Sequence, residues 1–279
     1  MLCDARHSSL DAASLTPPSP YLLKTITRST RMRCKALLRH AFFWTLGLLA
    51  GLSPLAFAEA VSPQEQIQIH ASRATSSLML LRGEGFQKTH QQRLEADLAA
   101  LAAAVQSLPQ GSAELTRAHQ ALVTQLRNGV SYGPGDDNVP WRFPEDLSRA
   151  LRDFLSAARA LPGAQGQSEL AAKVEYLGVQ YLSRSYLGTF EIAREQPDTY
   201  LGQDERLLLP AIDSELQALS DQSDPQVAKL QTRWSYLRAA LADMNSQSNT
   251  LESVSGRPFA PITVDRHARS LSSQWMTMY

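Results

Sequence analysis

Apolar residues recur at spacings of three and four from Val61 to the end of the chain, and this pattern constrains the fold more than any other feature. The spacing places the apolar side chains on one face of an α-helix, because a helix completes a turn every 3.6 residues. Runs of aromatic and β-branched residues, which are typical of strands, do not occur. The sequence therefore predicts an all-α protein built as a helical bundle.

The first predicted helix has a strong start and a clear end. Ser62 is a suitable N-cap, Pro63 suits the first helical position, and Glu65 completes a capping box. Gly83 ends the helix. The apolar residues that we expect to be buried in it are Ile67, Ala71, Ala74, Leu78 and Leu81.

Three more helices follow with the same spacing. The second stops at Pro109, the third stops at Asn128 in an Asn-Gly pair, and the fourth starts at Pro144. Their predicted buried positions are Leu94, Leu98, Leu101, Val105 and Leu108, then Leu115, His119, Leu122 and Leu126, then Leu147, Leu151, Phe154 and Ala158.

The second half of this region repeats the first. The offset between matching residues is 111 in the first two helices, 115 in the third and 117 in the fourth, so insertions fall only in loops, where they are tolerated. We predict two tandem four-helix units, residues 59–161 and 162–279, related by internal duplication and packed as two bundles or as one pseudo-twofold domain. The matched apolar residues are Leu209, Ile212, Leu216, Leu219, Leu230, Trp234, Leu237, Leu241, Val264, Ala268, Leu271 and Trp275.

A basic segment and an apolar segment precede the helices. Four Lys and Arg residues between positions 31 and 39 precede an apolar run, Ala41 to Phe57, and Ala56-Phe57-Ala58 is typical of a cleavage site. We predict a Sec-type signal peptide within residues 1–58, translation from Met32, and a mature protein that is periplasmic or secreted. The alternative is an uncleaved anchor, since about 17 apolar residues is the lower limit for a span; Pro54 favours cleavage.

Charge distribution and cysteine positions exclude some classes of function. Residues 1–58 hold 7 of the 27 Lys and Arg residues and 2 of the 27 Asp and Glu residues, so the other 20 basic and 25 acidic residues leave a formal charge of −5. The arginines of the mature chain are scattered, whereas nucleic-acid binding needs a concentrated basic face. Cys3 and Cys34 both precede the cleavage site, so we expect no disulfide. We predict no nucleic-acid partner and no membrane span after cleavage.

No known catalytic or metal-binding motif occurs in the mature sequence in the structural context that it needs. The sequence contains no Glu-x-x-His pair, no His-Glu-x-x-His and no Ser-x-x-Lys. The stretch Gly129–Gly133 reads Gly-x-Ser-x-Gly, but no strand is predicted before it, so it is not a nucleophile elbow. We therefore predict no metal, no cofactor and no catalytic residue, and a protein that is not an enzyme. The alternatives are a periplasmic carrier of haem b, with Met79 and either His119 or His267 as axial ligands, and an enzyme whose site has no known motif.

Four arginines occupy matched positions in the two predicted units. Arg73 and Arg184 lie in the first helix of each unit, and Arg149 and Arg266 lie in the fourth. A guanidinium between helices can bind a carboxylate, nitrate or another anion bidentately, so these four are the candidate ligand-binding residues. The competing interpretation, which we favour, is a solvated or intrahelical ion pair.

The predicted function follows from these features. An exported helical module with mid-helix arginines has the general architecture of the helical ligand-sensing domains of bacterial chemoreceptors and kinases. The stretch YLSRSY at Tyr181 is similar to the start of the type IV pilus receptor sensor family over these few residues, which does not assign the chain to that family. We predict a non-enzymatic binding or adaptor/sensor module for a partner protein of the cell envelope or a small anionic ligand.

Overall fold

The computed structural model describes residues 61–135, 137–163, 168–188, 190, 199–219, 224–245 and 260–278. These residues belong to one compact unit, Ala58–Tyr279. Within the described ranges the chain forms eight α-helices, one short 3-10 helix and no strand, which confirms the predicted all-α bundle. The predicted signal peptide and the start at Met32 lie outside the described residues.

The helices follow one another with short connections wherever the connection is described. They are α1 (Pro63–Gly83), α2 (Lys88–Gln106), α3 (Ala113–Ser131), α4 (Phe143–Arg159), α5 (Leu170–Tyr186), α6 (Glu205–Ala218), α7 (Pro225–Ala242) and α8 (Pro261–Met278), with the 3-10 turn Asp243–Asn245 after α7. In the part of the chain that the structure describes, no helix is both long enough and apolar enough to cross a bilayer.

Two helices, α1 and α5, lie at the centre and pack along one another. Helix α1 also packs on α2, α3 and α4, and α5 packs on α6, α7 and α8. Helix α3 pairs with α4 as α7 pairs with α8. The two halves therefore share these helix pairs, but α6 also packs on α7, whereas α2 and α3 show no comparable packing. In addition, α8 reaches across to α1, which places α1, α5 and α8 side by side.

The predicted apolar faces form the core. Their central positions, from Ile67 in α1 to Trp275 in α8, are buried, apart from His119 of α3, which is partly exposed. The other partly exposed positions, Val105, Leu108 and Leu219, lie near helix ends. Helix α1 is buried on further sides as well, because it is surrounded by other helices. It therefore carries polar side chains into the interior, among them Gln68, Ser72, Thr75, Ser76 and Ser77.

The third helix does not end at the Asn-Gly pair. Helix α3 continues through Asn128 and Gly129 to Ser131, so the predicted end is wrong. Packing is the reason for the glycine: a Cβ at position 129 would lie 2.6 Å from Leu78 Cδ2 and 2.8 Å from Phe143 Cζ. Gly129 therefore allows close contact between α3, α1 and α4, and the stability gained from that contact outweighs the weak helix propensity of glycine.

Only half of the predicted capping box forms. The Glu65 N–H donates to Ser62 Oγ at 3.0 Å, as predicted. The Glu65 carboxylate instead accepts from the N–H groups of Ala171 and Ala172, at 3.0 and 3.2 Å, and so caps the N-terminus of α5. Burial raises the pKa of Glu65 to about 7, although the two backbone donors oppose that shift.

Candidate functional site

A cleft of about 400 Å³ lies beside the first turns of α8. It is lined by Arg93 from α2 and by four residues of α8, namely Ile262, Thr263, Arg266 and Arg269. These four share one side of α8 because residues three and four apart are neighbours on a helix surface. The lining thus combines three guanidinium groups with one apolar side chain and one hydroxyl group.

Arg269 is fixed at the back of the cleft. Its Nη1 and Nη2 donate to the two oxygens of Asp97 at 2.9 and 2.8 Å, and its Nε donates to Asp265 Oδ1 at 3.1 Å. Nη2 also donates to Ser77 Oγ and to the Arg73 carbonyl, at 2.9 and 2.7 Å. Burial alone would lower the pKa of Arg269, but Asp265 and Asp97 raise it above its usual range. Arg269 is therefore charged, and each of its three nitrogens donates to a group of the protein.

Arg73 lies in the interior next to this group. Its Nε donates to Glu175 Oε1 at 2.7 Å, and its Nη2 donates to Ser272 Oγ, Ser273 Oγ and the Arg269 carbonyl at 2.6, 2.8 and 3.2 Å. The Arg73 side chain is 11% exposed and that of Glu175 is 1% exposed. A solvated or intrahelical ion pair, the interpretation favoured from the sequence, is therefore wrong for Arg73. Its partners are 102 and about 200 residues away in the chain.

The other predicted arginines occupy three different surroundings. Arg184 is largely buried on α5 and lies 3.8 Å from Glu205 Oε2 of α6. Arg149 is 41% exposed and pairs with Glu145, one turn earlier on the same helix, as the competing interpretation predicts. Arg266 is exposed and lines the cleft. Of the four candidates, only Arg266 is part of the cleft.

The guanidinium donors that face the cleft are not all used. Among the described residues, Arg266 makes no hydrogen bond and no ion pair. Arg93 Nη2 donates to Asp265 Oδ2, while Nε and Nη1 of Arg93 donate to no group within the described ranges. Arg266 and Arg93 therefore offer N–H groups to a ligand, and Arg269 contributes charge.

The charges around the cleft do not cancel. The lining arginines, their ion-pair partners and the neighbouring Arg73–Glu175 pair comprise four arginines and three carboxylates. One positive charge therefore has no counterpart among the described residues. The arginines are Arg73, Arg93, Arg266 and Arg269, and the carboxylates are Asp97, Glu175 and Asp265. This excess positive charge favours an anion in the cleft.

Sequence reasoning identified Arg266 but missed Arg93, Arg269, Ile262 and Thr263. A signal for two of them was present. The offset of 117 that aligns Arg149 with Arg266 also aligns Glu145 with Ile262 and Asp146 with Thr263. The acidic residues beside Arg149 are thus replaced by uncharged residues beside Arg266. Arg93 could not be found in this way, because its position next to α8 depends on how α2 packs.

The residues of the haem alternative lie on three different helices. Met79 of α1 is buried in the core. His119 of α3 lies 6.1 Å from the Phe154 ring, and His267 of α8 lies 4.3 Å from the Tyr236 ring. In the described ranges no three His, Cys, Asp or Glu side chains are grouped as around a metal ion.

Comparison with known proteins adds no relative. No protein-family model, no curated protein and no solved structure matches this chain.

Proposed function

We propose that this chain is an exported, non-enzymatic binding protein that holds a small anion in the cleft beside α8. The observation that supports this most is Arg266, an exposed guanidinium in a concave site with no acidic partner among the described residues. Arginine is suited to this role, because its planar fork of donors matches a carboxylate or another oxyanion bidentately.

Each arginine has a distinct part in the proposed binding. Arg266 supplies a complete set of free donors, and Arg93 supplies those that Asp265 does not use. Arg269 is held by Asp97 and Asp265 and contributes charge from a fixed position. A site that is held in place before the ligand arrives loses less side-chain entropy on binding. The Thr263 hydroxyl can add one further hydrogen bond.

Binding without reaction fits the chemistry of the lining better than catalysis does. Arginine stays protonated throughout the physiological range, so it neither takes nor gives a proton at neutral pH. Among the cleft-lining residues the only other polar side chain is the Thr263 hydroxyl, which needs an adjacent base to act as a nucleophile.

The test is a comparison of two arginines that the sequence places in equivalent positions. Thermal unfolding of the purified protein, at constant ionic strength, is followed with acetate, nitrate, sulfate and phosphate. We expect at least one anion to raise the melting temperature with rising concentration. Arg266→Gln is expected to remove that shift and Arg149→Gln to keep it. Equal shifts in the wild type and Arg266→Gln would overturn the proposal.

Export and duplication are parts of the same proposal. The matched offsets and the shared pattern of helix pairs support a duplicated ancestor. The basic and apolar segments support a cleaved leader. Mass spectrometry of the exported protein is expected to find Glu59 at the N-terminus. Recovery of an intact form that retains Trp44 in the membrane would contradict cleavage.

A further inference from the structure

The cleft has an apolar component beside its charges. Ile262 is 41% exposed and is one of four large apolar side chains that are exposed among the described residues. It lies one turn before Arg266, so the two side chains are neighbours on the surface of α8. A ligand bound to Arg266 would therefore be in reach of Ile262.

The size of the cleft also indicates an organic ligand. Its volume of about 400 Å³ falls in the range of sites for small organic molecules, roughly 300–1,000 Å³, which combine apolar walls with a few placed polar groups. A single inorganic oxyanion would contact the arginines and leave Ile262 exposed.

The charge of the site limits the charge of the ligand. One positive charge is unbalanced among the described residues around the cleft. A ligand with one negative charge neutralises the site, whereas a dianion would leave one negative charge in excess near Asp265 and Asp97. A carboxylate carries one charge and matches the guanidinium fork.

We infer that the ligand is an aliphatic monocarboxylate, with its carboxylate on Arg266 and Arg93 and its alkyl part over Ile262. This inference rests on the proposed function, because it specifies the anion that the same cleft binds. Ile262 has the position in the second half that Glu145 has in the first, and this difference has two effects. Arg266 lacks the acidic partner that Arg149 has, and the ligand gains an apolar surface.

Isothermal titration calorimetry with acetate, butyrate and hexanoate, and with nitrate and phosphate, tests the inference. Affinity is expected to rise about threefold to fourfold for each CH2 group that becomes buried, so hexanoate binds much more tightly than acetate or either inorganic anion. Ile262→Ser is expected to remove the dependence of affinity on chain length. Ile262→Val keeps most of that dependence, and Leu207→Ser, at an exposed leucine of α6, leaves it unchanged.

The outcomes separate the two proposals. If nitrate or phosphate binds as tightly as hexanoate and the affinity does not depend on chain length, the monocarboxylate inference is wrong and the anion-binding function stands. If chain length matters equally in Ile262→Ser, the alkyl part binds elsewhere and the inference also fails. If no anion binds to the wild type, both proposals fail.

Discussion

The fourth helices of the two halves, α4 and α8, bury matched apolar residues but differ in the residues beside one exposed arginine. Arg149 of α4 is paired with Glu145 on its own helix, whereas Ile262 stands in the equivalent place before Arg266 of α8. The buried apolar positions are thus matched, whereas the charge beside the arginine is different. The comparison indicates that the arginine stays unpaired, among the described residues, where no acidic side chain stands one turn before it.

A second contrast separates arginines inside the bundle from those on its surface. Arg73 and Glu175 are buried and join α1 to α5, while Arg149 and Glu145 are exposed on one helix. Buried and exposed ion pairs of the same chemistry have very different effects on folding. The predictions that follow test both contrasts.

The largest effect on stability is expected from a charge on the buried face of α4 or α8. Phe154 and Leu271 are both fully buried, so Phe154→Asp and Leu271→Asp each place a carboxylate inside the apolar core. We expect each to lower the free energy of unfolding by more than about 4 kcal/mol, as measured by urea denaturation. The control is Leu207→Asp, at an exposed leucine. A harmless Leu271→Asp would show that α8 is not packed as α4 is.

The next effect concerns two glutamates that each pair with an arginine. Glu175→Gln leaves Arg73 buried without its counter-charge, which we expect to cost about 3–5 kcal/mol in unfolding free energy. Glu145→Gln removes a surface pair within one helix and is expected to cost less than about 0.5 kcal/mol. Chemical denaturation of the two variants measures both values. Similar costs would mean that Arg73 is not held inside the bundle.

Part of the fold could be predicted from the sequence, and part could not. Burial of residues such as Leu122 and Leu237 follows from helical spacing alone, because a core needs an apolar face. The helix end predicted at Asn128 is wrong, because glycine ends helices and also permits close packing between them, and the neighbours of Gly129 decide which applies. The Glu65 contact with α5 was missed because its partner is more than 100 residues away.

The site was less predictable than the fold for the same reason. Arg266 could be named from the repeat, but whether it was free depended on Ile262 and Thr263, which the repeat also places beside it. A single apolar stripe on α1 predicts a solvated Arg73, but α1 is surrounded by helices and Arg73 is largely buried. Arg93 and Asp265 meet only through the packing of α2 beside α8.

A pH-dependent effect distinguishes the starts of the two central helices. Helix α1 is capped by its own Ser62, whereas α5 is capped by Glu65 of α1. Burial first, and Glu169 and Glu215 to a smaller degree, raise the pKa of Glu65 from 4.5 to about 7, against the lowering effect of its two backbone donors. The folded protein then keeps a proton that the unfolded chain loses, so stability falls as pH rises from about 4.5 to about 7.

The size of that fall is about 3 kcal/mol, because each pKa unit corresponds to about 1.4 kcal/mol. In Glu65→Gln the contribution is absent, so its difference from the wild type should change across this pH window and stay constant above it. Urea denaturation at several pH values measures that difference. A constant difference at every pH would show that Glu65 titrates normally.

The smallest effects on stability are expected from the two exposed arginines. Arg149→Glu loses the pair with Glu145 and adds a like charge one turn away, which costs about 0.5–1 kcal/mol. Arg266→Glu loses no partner within the described residues, so we expect a change of less than about 0.5 kcal/mol. Thermal unfolding without added ligand checks both. A large loss in Arg266→Glu would mean that Arg266 is structural.

The most direct test of the account gives Arg266 the acidic neighbour that Arg149 already has. Ile262→Glu restores that arrangement on α8, and Glu145→Ile removes it from α4 as the matched control. Calorimetry with butyrate, or with whichever anion stabilises the wild type most, measures the affinity of each. We predict at least a tenfold loss of affinity in Ile262→Glu, with stability nearly unchanged, and wild-type affinity in Glu145→Ile. Undiminished affinity in Ile262→Glu would contradict the claim that the missing acidic neighbour makes the site.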